Sequence, residues 1–229
     1  MEWIADKWDI VVQLYPFMLK GLWLTFQISI ISIAIGSIIG FVLGVAKTAG
    51  ARLLNGFINL YLHLLRGSPY LVQLYIVYFV LPSTGIAWLS FDSYTAAIVS
   101  LSLYTSSYVT EIVAAAIHAV PSGQAEAARS VGMSKFRTYQ HILVPQALKL
   151  TIPPMASIYV IVIKSTAVLS VIGISELTRQ GEVAIMRMPG DIMFIYSLIA
   201  LFYFIYCYPM LRLSKWAEGR FGTFGGGDR

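Results

Sequence analysis

The sequence predicts an all-α, polytopic membrane protein with five transmembrane helices and one long polar loop. Three observations predict it. Of the 229 residues, 58% are hydrophobic and only 12% charged, and the mean hydropathy is +0.74; a soluble domain carries about a quarter charged residues. Apolar runs of about 20 residues, enough to cross hydrocarbon as a helix, recur along the chain. The charges gather between those runs, and one basic stretch, "EAARSVGMSKFRTYQHILVP" at 126–145, stands apart from them.

The first span is read at 22–46, uncharged and flanked by Lys20 and Lys47. The second, 53–81, is interrupted by "RGSP" at 66–69. Pro in a helix interior removes a hydrogen bond and clashes with the preceding turn, but it fits the first helical position. Ser68 is therefore expected to cap a new helix that Pro69 starts. The thirteen residues from Pro69 to Leu81 reach only about 20 Å as a helix, too short to span alone. A break and an ordinary proline kink in one tilted helix both remain open. The third span, 94–120, contains Glu111 and His118; the fourth, 152–174, contains Lys164; the fifth is 192–211. The whole chain reads as one transmembrane domain, ending in a glycine-rich tail.

Basic residues orient a membrane chain because they are retained on the cytoplasmic side. One set of loops holds ten of them: Lys47, Arg52, Arg129, Lys135, Arg137, Lys149, Arg212, Lys215, Arg220 and Arg229. The other set holds four: Lys7, Lys20, Arg179 and Arg187. The N-terminus is thus expected outside, and the C-terminus and loop 121–149 in the cytoplasm. The N-terminal "MEWIADKWDI" is acidic and aromatic, unlike a cleaved signal peptide. The net charge of +5 fits basic cytoplasmic loops and gives no reason to expect nucleic acid. Cys207 is the single cysteine, which excludes an intrachain disulfide or a cysteine metal site. No metal-ligand spacing and no nucleophile elbow are present, and "GVAKT" at 44–48 lacks the second glycine of a phosphate-binding loop. No catalytic residue, metal or cofactor is expected in this chain.

Within loop 121–149, Pro121 ends the third span and "SG" turns the chain. "QAEAARSV" is good helix former, Gly132 sits where a left-handed residue would end that helix, and Ser134 can cap a second one through "KFRTYQHIL". The expected element is helix, glycine turn, helix, outside the bilayer.

The spacing "EAA", three residues, Gly132, nine residues, "ILVP" resembles the EAA motif of permease subunits of ATP-binding-cassette importers, with Val144 in place of the usual Leu. "RGSPYLVQLY" at 66–75, "YVTEIVAAAIHAVPSGQAEAARSVGMS" at 108–134, "VPQALKLTIPPM" and "IKSTAVLSVIGISEL" resemble further segments of the polar amino-acid uptake permeases (histidine, glutamine and arginine type). The resemblance covers roughly residues 15–215. It implies the type I importer architecture in a bacterial inner membrane. A coupling helix would fit a groove on a dimeric ATPase that holds Mg-ATP; Gly123, Gln124, Glu126, Ala127, Ala128, Gly132, Met133 and Pro145 would carry that contact. It also implies a second permease, identical or paralogous, and an extracytoplasmic substrate-binding protein. Thr110, Ala114 and Ala167 depart from the family pattern in regions expected to face the path, which leaves substrate choice open.

Charges inside hydrocarbon cost at least about 2.5–3.5 kcal/mol, so they face a bundle interior and mark function. Arg66, Glu111 and Lys164 are such charges. Glu111 and Lys164 either neutralise each other or divide a zwitterion between them, Glu111 taking an ammonium and Lys164, Ser165 and Thr166 a carboxylate. Arg66, whose stem can snorkel from the break, and Gln73 complete the expected path. The expected substrate is a polar amino acid or an opine-like relative, moved across surrounding membrane lipid. A secondary transporter or channel subunit and a non-transporting scaffold are the competing readings.

Overall fold

The computed structural model describes residues 2–50 and 52–221; the tail "GTFGGGDR", with Arg229, lies outside them. All regular structure among these residues is helical: α1 (Glu2–Ala49), α2 (Arg52–Arg66), α3 (Tyr70–Ser83), α4 (Ser93–His118), α5 (Ser122–Ser130), α6 (Lys135–Ile172), α7 (Leu177–Arg187) and α8 (Ile192–Phe221). Four of them, α1, α4, α6 and α8, are long and apolar enough to cross a membrane, and the bent pair α2–α3 makes a fifth. The all-α, five-span expectation holds.

Helix α4 is the centre of the bundle. In its most apolar stretch 61% is buried, against 17% for α8. It carries six buried hydroxyl residues, Ser100, Ser102, Thr105, Ser106, Ser107 and Thr110. Five of those hydroxyls donate to carbonyls three or four residues earlier in the same helix, so they enter an apolar bundle already satisfied. Helix α1 lies directly on them through Gly36, Gly40 and Gly44. A Cβ at any of the three would meet Thr105, Val109 or Val113 and the carbonyls of Ser102, Ser106 or Thr110 at 2.6–2.9 Å. Small residues every fourth position let two apolar backbones close up where hydrophobicity alone gives no preference over lipid.

Apolar clusters stack along the bundle. Leu14, Met18, Leu177, Ala184 and Ile199 fill one end; Ile28, Leu74, Leu101, Val162 and Leu169 the middle; Val109, Val113, Ile117, Leu143 and Ala147 the other end, beneath α5. Helix α1 starts well before the span expected at 22–46 and runs through Pro16 without ending. At ~1.5 Å per residue its 48 residues extend far past a hydrocarbon core of about 30 Å.

The second half of loop 121–149 is not a separate short helix. From Lys135 the chain runs helical without interruption to Ile172. Pro145 is accommodated within it: the backbone widens into a π turn over Tyr139–Leu143, just before the proline. Pro82 in α3 is preceded by a π turn over Ile76–Val80 in the same way. The wider turn relieves the clash between a proline ring and the carbonyl four residues back.

Candidate functional site

Two features stand out, an exposed helical hairpin and a charged cluster at a helix break. In the hairpin, α5 ends on Gly132, whose φ of +81° requires a residue without Cβ strain. Met133 N–H donates to Ala128 O (3.0 Å) and Gly132 N–H to Arg129 O (3.0 Å), which closes the carbonyl end of α5. Ser134 Oγ accepts from Arg137 N–H (3.4 Å) and starts α6, as its sequence position predicts. Gly123, Gln124, Glu126, Ala127, Gly132 and Pro145 are exposed, Met133 is half-buried and Ala128 turns into the bundle. Gln146 Nε2 donates to Gln124 Oε1 (3.3 Å) and ties the hairpin to α6. The hairpin also presents two large apolar side chains, Val131 (77% exposed) and Phe136 (74%), which the motif spacing does not single out.

Contacts far apart in sequence hold this hairpin to α1. Lys135 Nζ donates to Ala49 O (2.8 Å), and Tyr139 Oη to Thr48 O (2.9 Å). They satisfy two of the carbonyls that any helix C-terminus leaves open.

The "RGSP" interruption is a true break: α2 and α3 meet at 105°. Carbonyls at the end of α2 are satisfied in turn, His63 O by Gly67 N–H (2.9 Å), Leu64 O by Ser68 Oγ (2.7 Å) and Leu65 O by Gln73 Nε2 (2.5 Å). Ser68 therefore closes α2 instead of capping α3, and Pro69 takes the cap position in extended conformation. Gln73 is buried and also reaches Ser68 O (3.1 Å). It clamps the break instead of lining an open path.

Beside the break, Glu111 of α4 pairs with Lys47 from the last turn of α1 and, at 3.6 Å, with Arg66 from the end of α2. The Arg66 guanidinium also lies 5.4 Å from the Tyr108 ring. Tyr61 of α2 bonds Ser106 Oγ (2.5 Å), which fixes the crossing of α2 over α4. Lys47, Arg66, Tyr108 and Glu111 line, with Asn59 and His63, a pocket of about 490 Å³. Arg66 is thus not simply snorkelling; it has an acid and a ring to hold.

The expected meeting of Glu111 and Lys164 does not occur. Lys164 lies on the side of α6 that faces α8, in a separate groove of about 440 Å³ with Ala167, Tyr203 and Cys207. Among the described residues it forms no ion pair. Ser165 Oγ donates to Ile161 O (2.9 Å) and buried Thr166 Oγ1 to Ile163 O (2.7 Å), so both hydroxyls are occupied by their own helix. His118 is exposed at the end of α4.

One buried acid was not singled out in the sequence. Glu176 is fully buried and caps α7, accepting from Thr178 N–H and Arg179 N–H (both 2.8 Å) and from Tyr203 Oη (3.0 Å). Burial pushes its pKa up to about 7, against the downward pull of those hydrogen bonds. Only its position before "LTRQ", as an acidic helix cap, could have signalled it.

The family described as the binding-protein-dependent transport system inner membrane component matches residues 32–222. The chain belongs to this family. The permease family read from the motifs therefore stands. Its relatives include the L-cystine transport system permease protein TcyB of Bacillus subtilis (strain 168), 32% identical over 96% of this chain and 93% of that protein. The glutamine transport system permease protein GlnP of Escherichia coli (strain K12) is 33% identical over 86% of this chain and 90% of its own. A crystal structure of an amino acid ABC transporter with histidines superposes with a TM-score of 0.82 at 31% identity, covering 92% of this chain and 96% of that one. The inward-facing MetNI methionine ABC transporter, 18% identical with a TM-score of 0.67, shares the fold. This protein is an importer permease, multi-pass in the membrane, and its family is one of transport subunits and not of enzymes.

Proposed function

We propose that the protein forms the translocation path of an ATP-driven importer for a polar amino acid or an opine-like relative, and takes its energy from a separate ATPase. The hairpin carries this reading. It holds a glycine turn at Gly132, a small exposed residue at Ala127, and two exposed apolar side chains, Val131 and Phe136, that no described residue covers. An ATPase dimer holding Mg-ATP would dock there, with Gly123, Gln124, Glu126, Met133 and Pro145 around the contact. The charge count supports a cytoplasmic position for that end and the C-terminus, with the N-terminus outside, where a substrate-binding protein would deliver. A second permease, identical or paralogous, would complete the path. The cystine and glutamine transport permeases among its relatives, and the amino acid transporter solved with histidines, support an amino-acid cargo. Glu111 and Arg66 offer opposite charges 3.6 Å apart, and Lys164 offers a further cation across the bundle, as a zwitterion requires.

Co-expression of the chain with a candidate ATP-binding-cassette ATPase tests the reading. The ATPase should co-purify with the wild-type permease and be lost on Ala127→Trp or Gly132→Val, with membrane insertion unchanged. Equal recovery with all three proteins would overturn it.

A further inference from the structure

A continuous set of polar contacts runs from the exposed hairpin to the helix break. Lys135 and Tyr139, at the root of the hairpin, hold the last carbonyls of α1 at Ala49 and Thr48. Lys47, one residue before Thr48, holds Glu111 on α4. Glu111 in turn shares Arg66, the last residue of α2, which has the Tyr108 ring as its other support. The two bonds to Glu111 are unequal: Lys47 donates a hydrogen bond to it, while Arg66 stands at 3.6 Å beside an open pocket. Behind them Gly36, Gly40 and Gly44 hold that stretch of α1 closely against α4. The final turn of α1, beyond Gly44, is tied to α4 through Lys47 and to the hairpin through the Thr48 and Ala49 carbonyls.

We propose that Lys47 is a positioning residue that relays displacement of the hairpin to the α2–α3 break. When the hairpin moves, it carries the carbonyl end of α1, and Lys47 with it. Glu111 is then shared differently between Lys47 and Arg66, and α2 pivots at the break that Gln73 clamps. The inference rests on the ATPase docking proposed above, and it adds a route by which that docking reaches the membrane interior. Each side of the route has the two alternative partners that a switch needs, Lys47 or Arg66 for Glu111, and Glu111 or Tyr108 for Arg66.

The test uses the permease–ATPase complex with Cys207 replaced by Ser and a reporter cysteine introduced by His63→Cys, at an exposed position on the pocket wall. The maleimide labelling rate is compared without nucleotide and after trapping with Mg-ATP and vanadate. The expected result is a change of about fivefold or more between the two conditions, the lower end of ordinary coupling between sites. That change should vanish in Lys47→Met, return in Lys47→Arg and shrink in Tyr139→Phe. Equal rates in the two conditions would overturn the proposal, as would a change that persists in Lys47→Met. If Lys47→Met does not assemble, Tyr139→Phe, which removes one hydroxyl, decides: an undiminished change overturns the relay. Failure of the ATPase to co-purify with the parent chain would instead overturn the docking reading itself, so the two failures are distinct.

Discussion

Two lysines sit on long apolar helices, and they are treated in opposite ways. Lys47 meets Glu111 and, through it, Arg66, from three different helices. Lys164 lies in an apolar groove between α6 and α8 with no ion pair among the described residues. A charge in hydrocarbon is costly either way. The first is compensated inside the chain; the second has no compensating acid among the described residues. A cation answered within the chain adds to the bundle's own stability, while one left unanswered carries its cost alone.

That contrast can be broken by substitution. Glu111→Gln leaves Lys47 and Arg66 without their anion, and should cost the largest amount, about 2–3 kcal/mol after discounting for partial exposure. The thermal midpoint of the detergent-purified protein would report it, and exchange of charges in Lys47→Glu with Glu111→Lys should recover part of it. Gln73→Leu leaves Leu65 O and Ser68 O short of a donor at the break and should cost about 1–2 kcal/mol, read by the same melt. Glu176 gives a smaller, pH-dependent effect. Its folded pKa is raised above its unfolded value, so its proton-linked stability is full below roughly 4.5 and lost as pH rises through about 7. Melts between pH 5 and pH 8 should show a steeper loss for the wild-type chain than for Glu176→Gln. Lys164→Met should change stability least, by about 0.5 kcal/mol or less, while altering transport. A melt shift matching that of Glu111→Gln would abolish the distinction between the two lysines.

The sequence made visible what depends on neighbours along the chain. Gly132 and Ser134 form the turn and cap their residue types favour, Pro69 marks a real break, and Glu111 was recognisable as a charge with a task. Ser68 reads as the cap of α3 but closes α2, because both ends of a break compete for the same hydroxyl. The partners of Glu111 were not legible, since Lys47 lies 64 residues away and only the packing of α1 on α4 brings it near. Tyr139 and Lys135 reach α1 across 91 and 86 residues, again a matter of topology. Glu176 hides because an acidic residue before a polar helix looks like an ordinary surface cap; its burial is supplied by Tyr203 and α1.

The π turn at Tyr139–Leu143 has a consequence for the direction in which α6 faces. One extra residue in a turn rotates everything beyond it by about 100° relative to an unbroken α-helix. Tyr139, before the offset is complete, points toward the end of α1; Ala147, Thr151 and Ala156, beyond it, point into the bundle. A proline thus sets the phase between two faces of one rod. Straightening that turn by Pro145→Ala would leave each residue type in place and misdirect one face against the other.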